Sequence, residues 1–147
     1  MTLAIFTVEG EGRDFADTVE AIIDGTAAKL GLPFEPEQLQ LKACDATGEL
    51  AGGLTAHTVQ DWLFIKLLGI AEAQRGSGAG RALLARAEEF ARQKRLVGVY
   101  LDTFAFQAPG FYQSMGYTEC GRLPAVDGAA QRIWFAKTFD DTADNKI

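Results

Sequence analysis

Between Leu39 and Phe104 the hydrophobic pattern changes period twice, and that switch limits the fold more than any other feature of the chain. "LQLKACDATGELAGGLTAHTVQDWLFIKLLGI" reads as three extended, β-rich runs separated by the turn signals "ATGE" and "VQD", which predicts three successive antiparallel strands. "ALLARAEEFARQK" then repeats at helical spacing, with Leu83, Leu84, Ala87, Phe90 and Ala91 on one face and Arg86, Glu88, Glu89 and Arg92 assigned to the outside. "LVGVYLDTF" returns to an extended run of the buried type. A strand, a helix and a second strand in that order make the two strands parallel neighbours. Joined to an antiparallel meander, they predict a mixed α/β fold with a mixed, mainly antiparallel sheet flanked by helices.

The flanks fit the same architecture. "TLAIFTVEG" is strand-like, and "RDFADTVEAIIDGTAAKLGLP" places Phe15, Val19, Ile22, Ile23 and Leu30 on one helical face before Gly31 and Pro33 stop it. Gly25 within that helix costs about 1 kcal/mol against alanine. "APGFYQSMGY" contains a short helix ended by Gly116, and "YTECGRL" and "QRIWFAKTF" are two further strands. No repeat or Pro/Ser-rich linker interrupts the 147 residues, so a single domain over 1–147 is expected, with a polar tail over about 141–147.

Composition removes several classes of function. No apolar run approaches the roughly 20 residues that span a bilayer, so no membrane is expected as a partner. The net charge of −6 argues against a nucleic-acid backbone, whose binders carry a basic footprint. Cys44 and Cys120 lie far apart without a C-x-x-C pattern, so neither a metal site nor a disulfide framework is expected. With no leader-like segment at its start, the chain reads as cytoplasmic.

"QRGSGAGR", Gln74 to Arg81, opens the second helix with three glycines at alternate positions. A Walker A loop needs a lysine and a hydroxyl after its last glycine, and here Arg81-Ala82 follow. A dinucleotide fingerprint finds two glycines in Gly78 and Gly80 and a distant acid in Asp102, but Leu83 takes the third glycine's place. A third reading is a pyrophosphate cradle for coenzyme A, the plainer alternative being a flexible loop capping an ordinary helix. Successive N–H groups converge on the anion, the helix dipole adds about half a positive charge, and Arg75 and Arg81 can pair with the phosphates.

Taken together, these pieces resemble the GNAT superfamily of N-acetyltransferases. Its acyl-CoA loop follows R/Q-x-x-G-x-G/A, and Arg75-Gly76-Ser77-Gly78-Ala79-Gly80 fits that pattern. "WLFIKLLGI" resembles the family's central strand, and "DTFAFQAPGFYQSMGY" resembles the segment ending in F-Y-x-x-x-G-F/Y, here Phe111-Tyr112 and Gly116-Tyr117. The likeness runs from about Leu39 to Phe139.

The resemblance implies that the central strand and the strand after the loop helix splay apart. Backbone groups of Leu68 and Ile70 would then hold the pantetheine arm of acetyl-CoA, with the phosphates over residues 75–81. It also implies direct attack of a primary amine on the thioester, with Tyr112 as general acid for the departing thiolate. Two positions depart from the family pattern. Ala105 stands where many relatives have asparagine, leaving Gln107 as the nearest amide to contact the coenzyme. Lys66 stands where the central strand often has a glutamate, so the base is unassigned, and His57 is one candidate.

The expected activity is therefore acetyl-CoA-dependent N-acetylation of a small-molecule amine. An acyl-CoA-binding module without chemistry is the alternative, and an NAD-type dinucleotide protein is a third reading. Trp134, Phe135 and Phe139 are expected in the core, the acceptor site or a dimer contact, and a homodimer fits the resemblance.

Overall fold

The computed structural model describes residues 2–139 and divides them at Glu35/Pro36 into two units. In the first, α1 spans Asp14–Lys29 and runs unbroken through Gly25. Its end is a Schellman motif. Gly31 takes φ +78°, the Gly31 N–H donates to the Ala28 carbonyl, and the Leu32 N–H donates to the Ala27 carbonyl. The N-terminal residues read as a strand, "TLAIFTVEG", form none. That stretch has the composition of a strand but no ladder partner, and an unpaired strand does not stand alone in water.

The second unit is a six-stranded sheet of order β1-β2-β3-β4-β6-β5. Strands β1 (Gln38–Cys44), β2 (Leu50–Val59) and β3 (Trp62–Ile70) form the antiparallel meander, and β4 (Gly98–Phe104) lies parallel to β3. Helix α2 (Ala79–Gln93) makes the crossover between β3 and β4. A short helix, α3 (Pro109–Ser114), leads into β5 (Thr118–Arg122), and β6 (Arg132–Thr138) inserts between β4 and β5.

The core fills one face of this sheet. Leu54, Leu63, Val99, Leu101 and Phe135 point at the Leu83, Leu84, Ala87 and Ala91 stripe of α2, all essentially without solvent contact. Phe139 belongs to the same cluster, whereas Trp134 is half-buried and alternates onto the opposite face.

Glu88 lies inside, which corrects its assignment to the outside of α2. Its Oε2 accepts from the Tyr117 hydroxyl at 2.9 Å and its Oε1 from Lys137 Nζ at 2.8 Å. Lys137 also donates to the Met115 carbonyl at 3.0 Å, so one ammonium ties α2, β6 and the end of α3 together.

Candidate active site

Strands β3 and β4 pair only from Trp62–Ile65 against Gly98–Leu101. Beyond that point β3 stays hydrogen-bonded to β2 as far as Ile70, while its other edge has no ladder. The divergence starts at a bulge. Thr55 opposes Leu67 and Ala56 opposes Ile65, so Lys66 is the extra residue, and it is exposed. The two strands therefore form a V whose open arm exposes backbone donors and acceptors. Lys66 is thus a bulged, solvated residue.

The glycine loop closes the wide end of the V. Gly76 and Gly78 adopt φ +83° and +90°, a region that side-chain-bearing residues enter at a cost, and Gly78 is the N-cap of α2. Gly80, in the first turn of α2, faces Phe111 and Ile70 at ordinary contact distance. The Ser77 hydroxyl accepts from the Ala79 N–H at 3.3 Å. Just upstream, Gln74 Nε2 donates to Asp45 Oδ2 at 3.3 Å. Asp45 itself is fixed in the β1–β2 turn, where Oδ1 accepts from the backbone N–H groups of Thr47 and Glu49. The Thr47 hydroxyl and these amides hold the Asp45 carboxyl below its usual range.

The third wall is the F-Y-x-x-x-G-Y segment, whose pattern is the signature of a helix end. Tyr112 is the third-last position of α3, Gly116 takes φ +93°, and the Tyr117 N–H donates back to the Tyr112 carbonyl at 3.0 Å. The Tyr112 ring is buried against Phe111, Phe135 and Tyr117, with centroids 5.2 to 6.2 Å apart. Its hydroxyl has no hydrogen-bond partner among the described residues. Burial, and then the charge of Asp102, push the Tyr112 hydroxyl above the usual tyrosine range, so it keeps its proton at neutral pH. Gln107 sits in the turn after β4, where its Oε1 accepts from Thr103 Oγ1 at 3.0 Å and the Phe104 N–H at 2.9 Å. Those bonds leave its Nε2 donors free to face a ligand.

These walls enclose a cleft of about 860 Å³. Leu68, Ile70, Arg75, Gly76, Gly78, Ala79, Gly80, Arg81, Gln107 and Tyr112 all line it. Ser77 does not line it, and its hydroxyl braces the start of α2. Gly69, Gln74, Phe106, Ala108 and Phe111 complete the lining. Phe106 was missed because it sits in an aperiodic turn, where no spacing rule marks a residue as facing anything.

This arrangement agrees with what the chain is similar to. Residues 16–117, more than half of the sequence, match the acetyltransferase (GNAT) family. The chain belongs to that family. Among individual GNAT relatives, the Blasticidin-S acetyltransferase of Streptomyces morookaense is 46% identical over 83 residues, 56% of this chain and 61% of that protein. Acetyltransferase Atu2258 of Agrobacterium fabrum is 39% identical over 90 residues, 61% of this chain and 66% of that one. Both matches thus span less than two thirds of the relative's length. A crystal structure from Agrobacterium tumefaciens, of a protein assigned as an acetyltransferase, superposes with TM-score 0.78 and 29% identity, covering 95% of this chain and all of that one.

Membership of the GNAT family removes the dinucleotide reading, and the structure supplies the physical reasons. Leu83, in place of the third glycine, is a core residue. Asp102, the acid expected on a ribose, is committed instead to Arg132, whose Nε and Nη2 donate to its Oδ1 at 3.0 and 2.7 Å. His57 packs edge-on against Phe64, with centroids 5.5 Å apart, and does not line the cleft.

Three tyrosine hydroxyls titrate high, and this carries a stability prediction. Tyr100, Tyr112 and Tyr117 are each raised, with burial the first cause; Asp102 adds to the first two and Glu88 to the third. The folded state therefore holds these protons after the unfolded chain has begun to release them. Stability should be level below the ordinary tyrosine value of about 10 and fall as pH rises beyond it. Urea midpoints measured across alkaline pH should show that decline, and Tyr117→Phe should lessen its slope. Equal slopes for the two proteins would place Tyr117 in an environment other than the one described.

Proposed function

We propose that this chain is an acetyl-CoA-dependent N-acetyltransferase acting on a primary amine of a small molecule. The observation that carries the reading is the convergence of three features on one cleft: a glycine loop with two left-handed positions, an unladdered β3 edge, and the Tyr112 hydroxyl. The 3′-phosphoadenosine pyrophosphate would lie on the N–H groups of residues 75–81, beside Arg75 and Arg81. The amides of pantetheine would add to the open edge at Leu68 and Ile70 as a further strand would. The free Nε2 of Gln107 would supply the amide donor that Ala105 cannot.

The chemistry then needs little from the protein. The neutral amine would attack the thioester carbonyl while a backbone N–H of the open β3 edge meets the developing oxyanion. As the C–S bond breaks, Tyr112 would protonate the leaving thiolate, and the proton shed by the attacking nitrogen would pass to solvent, from which Tyr112 is reprotonated. A thiol of pKa about 8.5 is a modest leaving group, so a donor that stays protonated at neutral pH suits it. The similarity to a blasticidin-S acetyltransferase supports a small amine as acceptor. The exposed Lys66 favours one rival, a module that binds acyl-CoA without turning it over.

Thermal unfolding in the presence of acetyl-CoA, CoA, NAD or ATP tests the cleft's ligand. At about 100 times its dissociation constant a ligand adds roughly 2.7 kcal/mol, a rise of several degrees for a domain of this size. The expected result is a shift with both forms of coenzyme A and none with NAD. A shift with NAD alone would end the proposal.

A further inference from the structure

The face of the sheet opposite α2 carries a group of side chains that the cleft chemistry does not use. Asp102 is the first β4 residue beyond the last pair with β3, so it stands where the V opens. Tyr100, Asp102 and Phe104 alternate onto this face, away from the core residues Val99, Leu101 and Thr103. Phe106, in the following turn, stacks on Phe104 with centroids 5.4 Å apart and planes 22° from parallel. It is 73% exposed and also lines the cleft, which makes it a shelf running from the cleft onto this face.

The neighbouring charges are arranged with one acceptor left over. Arg132 lies over the Phe104 and Trp134 rings, 5.9 and 5.2 Å from their centroids. Both of its hydrogen bonds to Asp102 end on the same oxygen, Oδ1. Oδ2 of Asp102 has no partner among the described residues. Asp102 is partly exposed, so this oxygen is open to a donor from outside the protein. Beside it, Phe106 presents a flat, solvated ring face backed by the half-buried Phe104.

From this juxtaposition we infer that Phe106 and Phe104 form the acceptor subsite, selecting primary amines carried on a flat aromatic or heteroaromatic ring. The ring stacks on Phe106, and Asp102 Oδ2 accepts from the ammonium before it is deprotonated. This rests on the N-acetyltransferase reading and deepens it by naming the acceptor's chemical class. Arg132 is a positioning residue: it fixes the Asp102 carboxylate and covers the Phe104 face that would otherwise compete for the ring.

Equilibrium binding to the protein saturated with CoA, a complex that cannot turn over, separates the two claims. The probes are 2-phenylethylamine and 2-cyclohexylethylamine, equal in length and charge and differing in flatness. The phenyl amine should bind about fivefold tighter, the size of one aromatic stacking contact. Phe106→Leu should bring that ratio close to one, and Phe106→Trp should keep or widen it. Asp102→Asn should weaken both amines by about tenfold and leave the ratio unchanged. Because Phe106 is exposed, neither of its variants threatens the fold. If CoA binds and the two amines bind equally, or neither binds, the subsite is wrong while the coenzyme cleft stands. If CoA itself does not bind, the parent reading and this one fall together.

Discussion

Tyr112→Phe is expected to lower kcat by about a hundredfold or more, with the KM for acetyl-CoA nearly unchanged. The substitution removes one hydroxyl and nothing else. The ring keeps its contacts with Phe111, Phe135 and Tyr117. The hydroxyl makes no hydrogen bond among the described residues, so thermal stability should hold or rise slightly. A drop in kcat without a drop in melting temperature would thus isolate proton donation from packing. A loss of less than threefold would show that the thiolate leaves without help from Tyr112. The donor would then be water or a group outside the described residues.

The second large effect concerns stability. Glu88→Ala should cost about 3 kcal/mol, because it leaves Lys137 and the Tyr117 hydroxyl without their acceptor in a largely buried place. Had Glu88 been an exposed helix residue paired along α2, the loss would be about 0.3–0.5 kcal/mol. Chemical denaturation distinguishes these magnitudes directly. Activity should fall as well, since the same carboxylate anchors the Schellman end of α3 on which Tyr112 sits. Glu88→Gln, which can still accept from Tyr117 but loses the ion pair, should fall between the wild type and alanine.

The Glu88 case also shows where the sequence was legible. Leu84, Ala87, Glu88 and Ala91 follow the i, i+3, i+4, i+7 spacing of a single buried stripe. The position was readable from periodicity, and the charged side chain argued against it. What the charge could not reveal was its partners, Lys137 and Tyr117, which arrive from β6 and the end of α3. The meander, the α2 crossover and both helix-ending glycines, Gly31 and Gly116, were readable because each has a local cause: turn chemistry, period or positive φ. The N-terminal strand failed for the opposite reason, since pairing is a property of the whole sheet. The bulge at Lys66 and the shelf at Phe106 were equally hidden, because each depends on a neighbour distant in sequence.

Much of the candidate site followed from motifs that prove to be pieces of backbone geometry. R/Q-x-x-G-x-G/A describes a loop with left-handed residues at Gly76 and Gly78. F-Y-x-x-x-G-Y describes a capped helix that swings a tyrosine under that loop. Asp102 had been weighed only as a ribose-binding acid, and the structure gives it a different neighbourhood.

The most direct test of the account is a turnover measurement with acetyl-CoA and a set of small primary amines that includes blasticidin S. Release of free coenzyme A thiol and the mass of the amine product would be followed together. The account predicts thiol release that depends on the amine, matched mole for mole by an N-acetylated product and sharply reduced in Tyr112→Phe. Tight acetyl-CoA binding with no amine-dependent thiol release across the set would contradict it, and would leave an acyl-CoA-binding module in its place.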